Sequence, residues 1–318
     1  MLPGDATTLF KLAQAGDRAC LARAISHLER GSAIGAQLSS IALATKTLPY
    51  SIGVTGAPGS GKSTLTNSLI KFVRDQGSQI AVLAVDPSSP FSGGAILGDR
   101  VRMQEHSLDP MVYIRSMATR GHQGGLAVCV PEAIRLLGAV NFAFVIIETV
   151  GVGQVEVEIA NEADTTVVVV NPGWGDAIQA NKAGLMEIAD IFVINKSDRP
   201  GAKETRRDLE SMLDMSRIGS YRPSIIETTA ISDQGTPELW KLILEHRDVL
   251  SNNGELEKRR QLRMRTELKR SLEALVRDKV EAALELPEFD ESISKLYNQD
   301  ETPSSLALDI FKKLFQNK

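Results

Sequence analysis

The chain has 318 residues, 42% of them hydrophobic, and a formal net charge of −4. That leaves room for one large α/β core with helical extensions and speaks against a basic, nucleic-acid-binding surface. Its two cysteines, Cys20 and Cys129, stand in no pair spacing, which fits a reducing compartment and not a zinc site. Met1-Leu2-Pro3-Gly4-Asp5 opens neither a secretory core nor an arginine-rich transit segment. No apolar run approaches the ~20 residues needed to span a bilayer, so the expectation is a cytoplasmic protein without a membrane segment.

In chain order, residues 7–46 read as helices, because Leu9, Leu12 and Ala13, then Leu21, Ala24, Ile25 and Leu28, recur at helical spacing. Tyr50-Ser51-Ile52-Gly53-Val54-Thr55 has the composition of a short buried strand. Residues 64–74 have the pattern of a helix, with Leu65, Leu69 and Val73 on one face and Gly77 past its end. Between the two, Gly56-Ala57-Pro58-Gly59-Ser60-Gly61-Lys62-Ser63, followed by Thr64, fits the phosphate-loop pattern G-x-x-x-x-G-K-[ST]. Three glycines let successive backbone N–H groups turn toward one point. That point is also a helix N-terminus, where unpaired donors and the dipole favour an anion. Lys62 is expected to bridge the β- and γ-phosphates of a nucleotide, and Ser63 to place its hydroxyl on Mg2+.

Residues 80–85 and 142–147 are further apolar runs of strand type. The first ends in Asp86; the second ends in Glu148 and leads into Thr149-Val150-Gly151-Val152-Gly153-Gln154. Carboxylates at the carboxyl ends of buried parallel strands face the crevice where open α/β sheets bind ligands. Asp86 and Glu148 are therefore candidates for the Mg2+ shell, directly or through water. Gly151 is a candidate to offer its N–H to the γ-phosphate, a contact that hydrolysis would remove. Many small GTPases place a water-orienting Gln directly after that glycine. Here the position is Val152, so slow intrinsic hydrolysis is expected, with a partner completing the site.

The run Ile191-Phe192-Val193-Ile194 leads into Asn195-Lys196-Ser197-Asp198. A carboxylate at Asp198 can accept from both the N1–H and the exocyclic amine of guanine, whereas adenine would turn an acceptor toward it. A buried, unpaired acceptor costs about 1–3 kcal/mol, so the two motifs together predict GTP over ATP. Asn195 is expected to steady the neighbouring loops and the Lys196 stem to lie over the base. Thr229-Ala230, after the apolar segment 224–226, occupies the place of a further small-residue loop near the base.

Ser251-Asn252-Asn253-Gly254 marks a break, after which a charged helix carries Leu268, Leu272, Leu275, Val276 and Val280 as one apolar stripe. From spacing alone, the stripe fits burial against the chain's own globule as well as against a second chain. The basic cluster Lys258, Arg259, Arg260, Arg263 and Arg265, with Glu257 and Glu267 nearby, reads as a solvated helix face. His27, His106, His122 and His246 are scattered, with no His-rich tract and no C-x-x-C, a pattern that disfavours metal delivery.

Several longer blocks carry a family resemblance. They are Asp86-Pro87-Ser88-Ser89-Pro90, the segment 92–103 (SGGAILGDRVRM), the segment 114–121 (IRSMATRG), Glu148 to Gln154, and Gly175-Asp176-Ala177-Ile178-Gln179. Through them the chain resembles the MeaB/ArgK family, GTPase chaperones of adenosylcobalamin-dependent methylmalonyl-CoA mutase once labelled lysine/arginine/ornithine transport ATPases. The resemblance runs from about Gly16 to Pro200 and is looser toward the C-terminus.

It implies an α/β P-loop NTPase fold, with a mostly parallel sheet flanked by helices. To this it adds an N-terminal helical extension (1–46), a GTPase domain (47–250) and a C-terminal helical dimerisation segment (251–318). It implies Mg2+ held through Ser63, with Asp86, Asp99 and Glu148 as the acidic shell, and places a switch arginine at Arg102. It also implies an additional switch loop from Pro172 through Lys182 that meets the mutase. Lys62, Asp99, Arg102, Glu148, Gln179 and Lys182 are the catalytic candidates, the missing group coming from Arg102, Gln179 or Lys182. One departure is Asn141-Phe142-Ala143, where many relatives carry Gly-Phe/Tyr-Asp; it removes any polar role at position 143. The implied partners are GTP/GDP, an adenosylcobalamin-dependent acyl-CoA mutase and a second copy of the chain. The competing readings are a kinase of an amino-acid-binding transport protein, which should prefer ATP, and a nickel-insertion GTPase.

Overall fold

Alternation along the strands sets the architecture. In β2 (Ile80–Asp86), Ala81, Leu83 and Val85 enter one apolar cluster while Ile80 and Val82 enter another. In β5 (Thr165–Val170), Val167 and Val169 face one side, and Val168 and Val170 the other. Strands buried on both faces require helices on both faces, and this computed structural model is layered that way. It describes residues 5–86, 106, 108–118, 129–149, 161–173, 186–215, 222–286, 289, 293–294, 296–298 and 302–315.

The other strands are β1 (Tyr50–Gly56), β3 (Val112–Ala118), β4 (Phe144–Thr149), β6 (Ile191–Asn195) and β7 (Ser224–Thr228). Among the described residues the seven form one sheet in the order β3-β2-β4-β1-β5-β6-β7, with every pairing parallel. β1 thus lies centrally, and the loop that follows it opens at the middle of the sheet's carboxyl edge. The main helices are α1 (Ala6–Gln14), α2 (Arg18–Glu29), α3 (Ala33–Ala44), α4 (Lys62–Asp75), α5 (Val130–Ala139), α6 (Ala202–Met215) and α7 (Thr236–Asn252). α1–α3 and α5 share a cluster with one face of the sheet, α6 covers the same face farther along, and α4 and α7 cover the other.

Helices α1–α3, within the segment 1–46 expected as an extension, share a core cluster with β2–β4. They start where the sequence supplies caps. Asp5, Asp17 and Ser32 accept the N–H groups of Thr8 (2.8 Å), Cys20 (2.9 Å) and Gly35 (3.1 Å). Two local expectations need correction. Leu12 is exposed, and Phe10 joins Leu9 and Ala13 on the buried face of α1. β4 begins at Phe144 and not at 142, because Asn141 (φ 77°) ends α5 in a left-handed turn. In that turn Phe142 N–H donates to Leu137 O at 3.0 Å.

The amino edge of the sheet holds a buried polar network. Thr165 Oγ1 lies 2.5 Å from Tyr50 Oη and 2.8 Å from His246 Nδ1. Asp190, just before β6, accepts the Thr166 N–H at 2.8 Å and a two-pronged pair from Arg259 at 2.9 and 3.1 Å. His246 Nε2 is 3.4 Å from the same carboxylate, and its side chain is fully buried. This corrects the basic-cluster reading, since Arg259 is an anchor and not part of a solvated face. Burial holds the His246 imidazole below its ordinary value, with Asp190 and Asp164 opposing and Arg259 reinforcing. An unfolded imidazole titrates near ~6.5. Below that pH the unfolded chain takes up a proton that the folded chain refuses, so stability is lost on acidification. The unfolding free energy, measured in urea at several pH values, is expected to decline below about pH 6.5, and less steeply in His246→Gln. Equal slopes for both proteins would contradict this.

The chain divides into two compact units, Met1–Arg259 and Arg260–Lys318. The second holds the part of α8 (Glu255–Leu284) from Arg260 onward, and α9 (Pro303–Phe315). No side chain of α8 is fully buried; Leu268 and Leu275 are 62% and 67% exposed. An open groove of about 570 Å³ runs along Leu268, Leu272, Val276 and Val280, edged by Arg265, Lys269, Glu273 and Arg277. Elsewhere in this unit Lys279 Nζ sits 4.7 Å over the Phe315 ring.

Candidate functional site

The phosphate loop sits between β1 and α4 as the sequence predicts, and its shape depends on two glycines. Gly56 has φ 135°, and a Cβ there would lie 2.0 Å from Val169 O; at Gly61, φ 94°, it would lie 2.3 Å from Asn195 Nδ2. Only glycine fits at either position. Gly61 is the N-cap of α4 and brings no side-chain acceptor, the kind of helix start that favours an anion. Ala57 is half-buried, Pro58, Gly59 and Thr64 are exposed, and Ser60 is buried.

Lys62 is buried, and its ammonium folds back over the loop. It donates to Gly56 O at 2.7 Å and Ala57 O at 3.1 Å. One residue on, Ser63 Oγ donates to Glu148 Oε1 at 2.6 Å. Glu148, the last residue but one of β4, is fully buried, and beside it Thr149 Oγ1 donates to Thr55 Oγ1 at 3.1 Å. A hydroxyl and a buried carboxylate in contact are the hard oxygen donors that Mg2+ takes alongside phosphate and water, so the residues present fit that ion. Asp86 ends β2 at the same edge of the sheet. Its side chain, and all of Asp99, Arg102, Gly151, Gln179 and Lys182, lie outside the described residues.

The base side is tied to the phosphate side by one amide. Asn195 Nδ2 donates to Ser60 O at 2.9 Å, while Asn195 Oδ1 accepts from Thr228 Oγ1 (3.2 Å) and Ala230 N (3.1 Å). Lys196, at φ 60°, donates from Nζ to Gly59 O at 2.6 Å, which lays its stem along the loop. Ser197 N–H donates to Thr228 O at 3.0 Å, and its hydroxyl meets Thr229 Oγ1 at 3.1 Å. Thr229 and Ala230 are buried, and Asp198 stands exposed at the tip. Motif spacing predicts that Asn195 steadies its neighbours. The backbone groups it holds, Ser60 O and Ala230 N–H, carry no sequence signal and are visible only in the fold.

Comparison with known proteins agrees with this geometry. Residues 21–285 match the family described as methylmalonyl-CoA mutase-associated GTPase MeaB. A Pyrococcus abyssi protein described as a candidate GTPase is 45% identical over 310 residues, covering 96% of each chain. The mouse (Mus musculus) protein described as methylmalonic aciduria type A homolog, mitochondrial, is 37% identical over 265 residues, covering 77% of this chain and 64% of that one. A crystal structure described as LAO/AO transport system kinase superposes with a TM-score of 0.73 at 26% identity, covering 100% of both chains. The central β1, its phosphate loop and the Asn195 tie are thus set in a P-loop NTPase fold, and the chain belongs to the MeaB family of methylmalonyl-CoA mutase-associated GTPases.

Proposed function

We propose that this protein hydrolyses GTP to GDP and phosphate, slowly on its own, and uses the nucleotide state to gate another enzyme. That enzyme is an adenosylcobalamin-dependent acyl-CoA mutase, with methylmalonyl-CoA mutase as the expected client, and the gate controls cofactor loading and protection. The observation that carries the reading is the Asn195 amide. It joins the phosphate loop at Ser60 to the base loop at Ala230, which leaves Asp198 at the tip where guanine would be read.

In this reading Gly56–Thr64 wraps the phosphates, Lys62 spans the β- and γ-phosphates, and Lys196 lies over the base. Thr229 and Ala230 close the far side, and Gly151 senses the γ-phosphate. Ser63 and Glu148, with Asp86 and Asp99, hold Mg2+, which when bound offsets phosphate charge. Arg102, Gln179 or Lys182 supplies the group that Val152 cannot. The exposed leucines of α8 and the groove along Leu268, Leu272 and Val276 are proposed to pair with a second copy. A solution mass of one chain, about 34.5 kDa, by light scattering would refute that pairing.

The central test is GTP turnover with and without purified methylmalonyl-CoA mutase, with ATP as control. Slow GTP turnover that rises with the mutase is the expected result; GTP turnover indifferent to the mutase would remove this client. Asp198→Ala is expected to lower the GTP-over-ATP preference by roughly tenfold to a hundredfold, read from competition binding. An unchanged preference would show that Asp198 does not read the base. The transport-kinase reading instead predicts ATP as the better substrate for the unaltered protein.

A further inference from the structure

The loop after β7 carries a second tie that no motif signals. Thr229 N–H donates to Gln234 O at 2.9 Å, closing residues 229–234 into a small ring. Gly235, at φ 79°, permits the closure: a Cβ there would lie 2.4 Å from Glu227 O. Within the ring Asp233 sits in a left-handed backbone conformation (φ 57°) that turns its carboxylate toward α4. Ser68 Oγ donates to Asp233 Oδ1 at 2.7 Å, and Lys71 Nζ pairs with Oδ2. Ser68 Oγ is also 2.7 Å from Thr236 Oγ1, the first residue of α7. Ser68 and Thr236 are buried, whereas Lys71 and Asp233 are open to solvent. The bonds from Lys71, then Ser68, hold the Asp233 carboxyl below its ordinary value, so the clasp is charged at neutral pH.

α4 is the helix whose first turn presents Lys62 and Ser63, and Ser68 lies about one and a half turns beyond them. The ring begins with the Thr229-Ala230 pair assigned to the base. Asn195 ties the two halves from inside; Asp233 ties them from outside. We propose that Asp233 is a positioning residue for guanine recognition. Through Ser68 and Lys71 it registers the base loop against the phosphate-loop helix. The proposal rests on the reading of 229–230 as a guanine contact, and it adds the residue that sets where that contact stands.

The test is calorimetric titration of GDP and of pyrophosphate, with Mg2+, on the unaltered protein, Asp233→Ala, Asp233→Asn and Ser68→Ala. Asp233→Ala and Ser68→Ala are expected to weaken GDP about tenfold, the loss of one charge-assisted hydrogen bond, and to leave pyrophosphate within about twofold. Asp233→Asn, whose amide oxygen still accepts from Ser68, should recover part of the loss. Ser68 is buried beneath the ring, so a matching loss there assigns the effect to positioning and not to direct contact. GDP affinity unchanged in both alanine variants would overturn the proposal. So would GDP and pyrophosphate weakening together, the signature of a disturbed α4. If the unaltered protein bound ADP as tightly as GDP, the guanine reading itself would fall and take the proposal with it.

Discussion

Lys62→Ala is expected to lower single-turnover GTP hydrolysis by roughly 10²–10³-fold, the range seen when one preorganised charge donor is removed from a developing anion. The donor is preorganised here, because Gly56 O and Ala57 O already hold the ammonium over the loop. Its ordering entropy is lost on folding and not on nucleotide binding. Lys62→Arg is not expected to rescue, since a planar guanidinium cannot occupy a cradle shaped for a point charge. Folding should be weakened by roughly 1–3 kcal/mol, because the buried Gly56 O loses its donor. Hydrolysis within threefold of the unaltered protein would mean that another cation carries the phosphates.

Asp190→Ala is expected to destabilise the Met1–Arg259 unit by about 1–3 kcal/mol, because it leaves the buried Thr166 N–H without its acceptor and takes the carboxylate from the partly exposed Arg259. The carboxylate accepts from Arg259 and from the Thr166 N–H and lies beside His246. The truncation strands the buried Thr166 N–H, which is the source of the size, whereas Arg259, 37% exposed, can turn to water. Asp190→Asn should cost less, because an acceptor remains for Thr166. Exchanging both Asp190 and Arg259 for leucine should cost less than the sum of the single changes, since no lone charge is left behind. Urea midpoints read the comparison. An Asp190→Ala midpoint equal to that of the unaltered protein would show that Arg259 and Thr166 find other partners.

The two networks differ in how far the sequence announces them. The phosphate loop is legible because glycine is required at fixed places, at φ values and approach distances no side chain tolerates, and because Lys and Ser must follow at the helix start. Asn195 to Asp198 is legible for a similar reason, as base recognition needs a carboxylate at fixed spacing after a buried strand. Arg259, Asp190 and His246 obey no spacing rule. They come from a helix start, a strand entry and another helix, brought together at the amino edge of the sheet, so sequence patterning reads Arg259 as solvated. Asp233 is missed likewise, since its partners Ser68 and Lys71 lie on α4, far away in the chain.

Strands show the same division. The reading along the chain assigns no strand to 165–170, although an unbroken threonine–valine run is what a strand buried on both faces requires. Its place beside β1, and the order β3-β2-β4-β1-β5-β6-β7, follow from which helices cover which face. By itself the sequence determined a phosphate loop and, after a later buried strand, a carboxylate at the spacing proposed to read the base, because such motifs constrain short, contiguous stretches. The tertiary structure alone decided which backbone groups Asn195 joins, which carboxylate meets Ser63, and what anchors the start of α8. Each of those pairs residues distant in the chain, and their meeting depends on how the sheet and its helices stack.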